Sequence, residues 1–99
     1  MQFGIITGNV VCTTKNEKIE GRKLLLVQPV NDEFKPEGTG LVGIDSVGAG
    51  VGELVLYVTG SSSRMTDITD NRPVDCTIMA IVDYVTKNDK VIFEKQKQK

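Results

Sequence analysis

Apolar positions come in short bursts along this chain, separated by turn-forming residues, and most alternate with a period of two. Phe3 to Thr14 (FGIITGNVVCTT) is rich in β-branched residues, with Gly4 and Gly8 inside it. Such a run predicts a strand, and its interior glycines predict bends or bulges in a strongly curved sheet. The polar loop KNEKIEGR then leads to a second strand over Lys23 to Val30. The turn formers of NDEFKPEGTG follow, then a short third strand, LVGID, and a fourth, ELVLYVTG. CTIMAIVDYVT, KND and KVIFEK together predict a terminal β-hairpin turning at Asn88-Asp89. SSSRMTDITDN is the one segment that predicts a helix, a short one, with Ser61 or Ser62 able to cap its first turn. The polar end predicts a flexible tail over residues 95–99. The expected fold is all-β with small α content. It is a single domain over residues 1–99, a compact β-barrel of five to six short, bent strands with one short helix, in the OB or SH3 size range.

Two strands are apolar on both alternating faces. Leu24 and Leu26 lie opposite Leu25 and Val27, and Ile78, Ala80 and Val82 alternate with Met79 and Ile81. A small antiparallel barrel needs one face in the core and leaves the other to water. A short chain has no second layer to spare, so neighbouring subunits are one way to cover the outer face. Crowding of central strands by the chain's own loops is the other.

The stretch IDSVGAGVGELVLYVTGSSSR (Ile44 to Arg64) raises the question of a phosphate loop. GTGLVG (Gly38, Gly40, Gly43) formally matches GxGxxG, but a polar loop precedes it and a β-prone run follows. The dinucleotide fingerprint needs a strand before the loop and a helix after it, so that helix N-terminal amides meet the pyrophosphate. GAGVGE places Glu53 where the third glycine of that fingerprint would fall, and a strand follows at once. These glycines therefore predict shape: positive φ and close backbone approach.

Composition narrows the chemistry further. The 99 residues hold no histidine, which removes Ser-His and Cys-His nucleophile systems and most transition-metal sites. No CxxC, P-loop or aspartate-rich calcium loop is present, so no cofactor and no metal is expected, and no catalytic residue stands out. A net charge of −1, and aromatics (Phe3, Phe34, Tyr57, Tyr84, Phe93) that avoid basic strands, argue against a nucleic-acid partner. No apolar run exceeds five residues, and no basic residue precedes the first one, which argues against a membrane partner and a secretory signal. Cys12 and Cys76, both in apolar strand-like segments, are expected as buried free thiols of a reducing cytoplasm.

The order TGNVVCT, KLLLVQPV, D-x-V-G-A-G-x-G-E (Asp45 to Glu53), G-S-S-x-R (Gly60 to Arg64), PVD, IVD and VIFEK closely resembles the EutN/CcmL family. Its members are vertex proteins of bacterial microcompartment shells. The resemblance runs from Gly8 to about Lys95, and VCT, GSSSR and VIFEK look most like the ethanolamine-utilisation branch. Ser63 departs from the alanine common in the family, a small-for-small change. The loop from Val30 to Gly40 looks variable there, so nothing is carried over to it.

The resemblance implies a non-enzymatic structural protein whose OB-like, closed five- to six-stranded β-barrel assembles as a cyclic homo-pentamer. That pentamer would cap the fivefold vertices of a cytoplasmic microcompartment shell tiled by hexameric shell proteins, with a narrow axial pore as a further possibility. Candidate subunit-interface or pore residues are Asp45, Gly48, Ala49, Gly50, Val51, Gly52 and Glu53 in the glycine loop. Ser61, Ser62, Ser63 and Arg64 join them in the serine turn. Glu53 could accept a charge-assisted hydrogen bond from a neighbour, and Arg64 could pair with a carboxylate across the interface. The local alternatives are a tight turn for the glycines, a helix cap for the serines and a solvated charge for Arg64. Two other readings of the whole chain compete: a small OB-type nucleic-acid or ligand-binding module, and an enzyme working through carboxylates.

Overall fold

A computed structural model describes residues 1–13, 22–60 and 75–95. Five strands close into a barrel in the order β1-β2-β3-β5-β4. They are β1 (Gln2–Val10), β2 (Leu24–Pro29), β3 (Leu41–Asp45), β4 (Leu54–Thr59) and β5 (Cys76–Ile81). All neighbours are antiparallel except β3 and β5, which pair in parallel through Ile44 with Thr77 and Asp45 with Ile78. The barrel expected from the strand pattern, closed and OB-like as the resemblance implies, is therefore present. The expected helix falls on residues 61–71, outside the described residues.

Alternation decides which side chains enter the barrel. Ile6, Leu25, Val27, Val55, Tyr57 and Ile78 are fully buried and pack together, with Ala49 and Cys76 closing the cluster. Two bulges let so short a sheet curl shut. Thr7 is the extra residue between the pairs Ile6–Val27 and Gly8–Leu26, and Met79 between Tyr57–Ile78 and Leu56–Ala80. An unpaired extra residue bends the strand that carries it and raises the local twist. Gly4 is needed for a different reason. A Cβ there would lie 2.5 Å from Val27 Cγ1 and 3.0 Å from the Tyr57 ring, so the barrel closes over a missing side chain.

Two expectations need correction. The long strand expected from Cys76 into the terminal hairpin is broken at Val82 and Asp83. β5 ends in the barrel, while β6 (Tyr84–Lys87) and β7 (Lys90–Glu94) form a separate two-stranded sheet. A backbone bond from Val82 to the Leu54 carbonyl carries the β4 pairing to Val82. Another, from Lys95 to the Asp83 carbonyl, starts the hairpin pairing at Asp83, so the chain changes sheet between these two residues. The turn sits where expected, at Asn88 and Asp89, both with positive φ. Secondly, Cys12 is exposed: β1 stops at Val10, leaving Val11 and Cys12 beyond the barrel's edge. Cys76 alone is a buried free thiol, and its burial raises its pKa to about 11. On the outer face, Ile44, Val58 and Thr77 are buried although they alternate with core-facing neighbours. Part of the outer face is thus covered within the chain. Leu26 and Val42, paired across β2 and β3, stay exposed there.

Candidate functional site

The glycine loop joins β3 to β4, and its shape is set by the acids at its two ends. Asp45 is the last residue of β3, and its side chain is only 3% exposed. One carboxylate oxygen accepts the amides of Val47, Gly48 and Ala49 at 3.0, 3.0 and 3.2 Å. Three backbone donors converging on one carboxylate hold the loop's first turn, as an Asx-type turn does. The Lys23 ammonium donates to the Ala49 carbonyl at 2.9 Å and lies 3.9 Å from the other Asp45 oxygen. Ala49 is thereby pressed into the core with no exposed surface.

Glu53 closes the far end. One of its oxygens accepts the Gly50 amide at 2.6 Å, and the other meets the Lys95 ammonium at 2.7 Å. Lys95 and the Gly50 amide together hold the Glu53 carboxyl below its ordinary range. The same contact raises Lys95 above the usual lysine value. Gly48 and Gly52 adopt positive φ, 79° and 91°, as the alternating glycines predicted. Gly50 does not need it: a Cβ there would meet only the flexible Glu53 carboxylate, at 3.4 Å. The loop also extends the barrel, because Gly52 donates to the Ile6 carbonyl and Ile6 to the Glu53 carbonyl.

These contacts sort the sequence candidates. Asp45 and Ala49 face inward and shape the loop. Glu53, expected to reach a neighbouring subunit, spends both oxygens within its own chain. Gly48, Val51 and Gly52 are exposed, and Gly50 is half-buried. Ser61, Ser62, Ser63 and Arg64 lie outside the described residues. Sequence reasoning missed Lys95, read as the start of a solvated tail, and Lys23. Both act on partners far along the chain, so no local spacing marks them.

The hairpin stands beside this loop. Phe34 is edge-on to Phe3 at 5.6 Å and tilted against Phe93 at 5.4 Å, a three-ring chain from β1 to β7. Lys87 pairs with Asp32 at 3.0 Å. Between loop and hairpin runs an open groove bordered by Val51, Glu53, Asp83, Tyr84, Glu94 and Lys95. It carries three carboxylates against one ammonium. Val51 and Tyr84 stand at its rim with more than half their surface exposed.

The family model described as "Ethanolamine utilisation protein EutN/carboxysome" matches residues 1–83. The chain belongs to the EutN/CcmL family. It is 41% identical over 95 residues to the bacterial microcompartment shell vertex protein EutN of Salmonella typhimurium, covering 96% of each chain. It is 39% identical over 99 residues to the carboxysome shell vertex protein CcmL of Nostoc, covering 99% of this chain and 98% of the relative. The solved Nostoc CcmL superposes with a TM-score of 0.90 at 40% identity, over 96% of this chain and all of that one. The GrpN pentameric microcompartment shell protein of Rhodospirillum rubrum superposes with a TM-score of 0.79 at 39% identity, over 88% and 99%. The likeness thus extends to both ethanolamine and carboxysome members of the EutN/CcmL family.

Proposed function

We propose that this EutN/CcmL chain is a structural vertex protein of a bacterial microcompartment shell, acting as a closed ring of five identical copies. The observation that carries the reading is its likeness, over nearly its full length, to vertex proteins and to a solved pentameric shell protein. The physics of the chain supports it. Leu26 and Val42 are exposed on the barrel, Val51 on the glycine loop, and Tyr84, Val91 and Ile92 on the hairpin. Apolar surface of that kind is what a subunit interface covers.

The role is geometric rather than catalytic. A flat sheet of hexamers has no curvature of its own, and replacing a hexamer by a pentamer at each vertex supplies it. Hexameric shell proteins in the cytoplasm are accordingly the partners of the ring. The test is native mass spectrometry of the purified protein at several salt concentrations. A salt-resistant mass of five chains is expected. A stable monomer at micromolar concentration removes the reading.

A further inference from the structure

Hairpin and barrel are separate sheets, so what holds the hairpin in place lies outside strand pairing. No residue of β6 or β7 is fully buried, and only Val85 and Phe93 are half-buried. Among the described residues, three ring or ion pairs tie the segment down: Phe93 with Phe34, Lys87 with Asp32 and Lys95 with Glu53. All three partners sit in loops, two of them in the connection between β2 and β3. That connection is built to keep its shape. The Asn31 side chain accepts the amides of Glu33 and Lys35 at 2.9 and 3.2 Å. The Asn31 amide donates to the Lys35 carbonyl, Phe34 donates back to the Asn31 carbonyl, and Val30 bridges to Pro36. Within this frame Phe34 has φ of 65°, in the left-handed region that bulky residues rarely adopt. Strain of this kind persists only where the surroundings over-determine it. Here it delivers a ring that stands between Phe3 of β1 and Phe93 of β7.

We infer that the hairpin is a hinged flap pivoting between Val82 and Asp83, and that the loop over residues 31–36 is its latch, with the Phe34 ring as the bolt. Opening leaves the barrel whole, because no barrel strand loses a partner and Val82 keeps its bond to Leu54. A two-stranded sheet is marginal in water, so a released hairpin melts as it leaves. Release and melting are one local event that costs less than unfolding the barrel. The rings do most of the holding, since both lysines of the ion pairs are about half exposed and salt screens them. The groove beside the glycine loop has Asp83, Tyr84, Phe93, Glu94 and Lys95 along one side, so it exists only while the latch is closed.

Residue-resolved amide hydrogen exchange under native conditions is the test. Phe34→Gly keeps the positive φ without strain and takes away only the ring. It should speed exchange of the β6 and β7 amides about tenfold, while Phe34→Tyr, which keeps a ring, should stay within about twofold of the parent. Asp32→Asn, which cuts an exposed ion pair, should act more weakly than Phe34→Gly. Ile78→Val supplies the contrast, because Ile78 is fully buried in the barrel and its packing is the same with the flap open or closed. It should speed the barrel amides severalfold and leave the hairpin amides unmoved. Hairpin amides that accelerate along with the barrel in Ile78→Val would overturn the flap, since the two would then open only together. Unchanged hairpin exchange in Phe34→Gly would overturn the latch, and a larger effect of Asp32→Asn would overturn the ring as its bolt.

Discussion

Gly4 and Glu53 show how single residues set this fold. At Gly4 the nearest atoms belong to Val27 and Tyr57, both fully buried, so neither has room to retreat. Gly4→Ala should therefore cost about 1–3 kcal/mol, the usual range for overpacking a filled core, read as a lower urea midpoint at unchanged slope. Glu53 makes a pH-dependent contribution. Its carboxyl titrates lower in the folded chain than in the unfolded one, so the stabilisation is complete above the unfolded value. It is lost as pH falls through the folded value. Glu53→Gln should destabilise the protein at neutral pH by about 0.5–1 kcal/mol, a modest figure because Lys95 is 45% exposed. The gap between variant and parent should close on acidification below about pH 4.3, where the unfolded chain's carboxyl is already half protonated. A gap that stays constant down to pH 3 would show that the amide contact, rather than the charge, carries the effect. Gly4 could be read from sequence as a bend, but the collision that forbids a side chain there depends on Tyr57, far along the chain. Glu53 stood out only by its place after the glycines; its partner, Lys95, carries no local signal.

Local patterning dictates the five barrel strands and leaves their ends to tertiary contacts. Leu25 and Val27 alternate inward as their period demands, and β1 to β4 fall where the apolar bursts do. The break between β5 and β6 was not legible, because IMAIVDYVT is β-prone throughout. It is a change of partner: Val82 still bonds to the Leu54 carbonyl of the barrel, while the Asp83 carbonyl already accepts from Lys95 of the hairpin. Parallel closure of β3 on β5 is likewise a property of the chain path, not of either strand's residues. The hairpin turn, by contrast, is written locally. Asn88 and Asp89 both occupy the left-handed region, with φ of 53° and 64°, as a two-residue turn matched to strand twist requires. Asp89→Gly relieves the second of these and should be neutral to stabilising by about 0.5–1 kcal/mol, whereas Asp89→Val should destabilise by at least as much. Hydrogen exchange of the β6 and β7 amides is the direct readout: slower in the glycine variant, faster in the valine one. Equal exchange in the two would mean that the aromatic chain through Phe34, rather than the turn, governs hairpin opening.

For the whole molecule, the question first posed by the glycine stretch becomes a contrast between two of its members. Gly52 has φ of 91°, and its amide is bonded to Ile6, so its freedom serves the barrel itself. Gly50 has no such requirement and borders the groove, where a side chain would stand between loop and hairpin. Gly52→Ala should therefore lower the unfolding free energy of the chain by about 1–2 kcal/mol through backbone strain. That loss should persist in dilute conditions where any oligomer has dissociated. Gly50→Val should leave the dilute chain nearly as stable as its parent and, Gly50 being a candidate subunit contact, should act at higher concentration by weakening assembly. Melting temperature against protein concentration separates the two, because only a coupled assembly makes it rise with concentration. The parent should show that rise, Gly52→Ala should show it displaced downward, and Gly50→Val should be flat. A steep rise in Gly50→Val, matching the parent, would return this loop to the role of a local turn and move the ring contact elsewhere on the barrel.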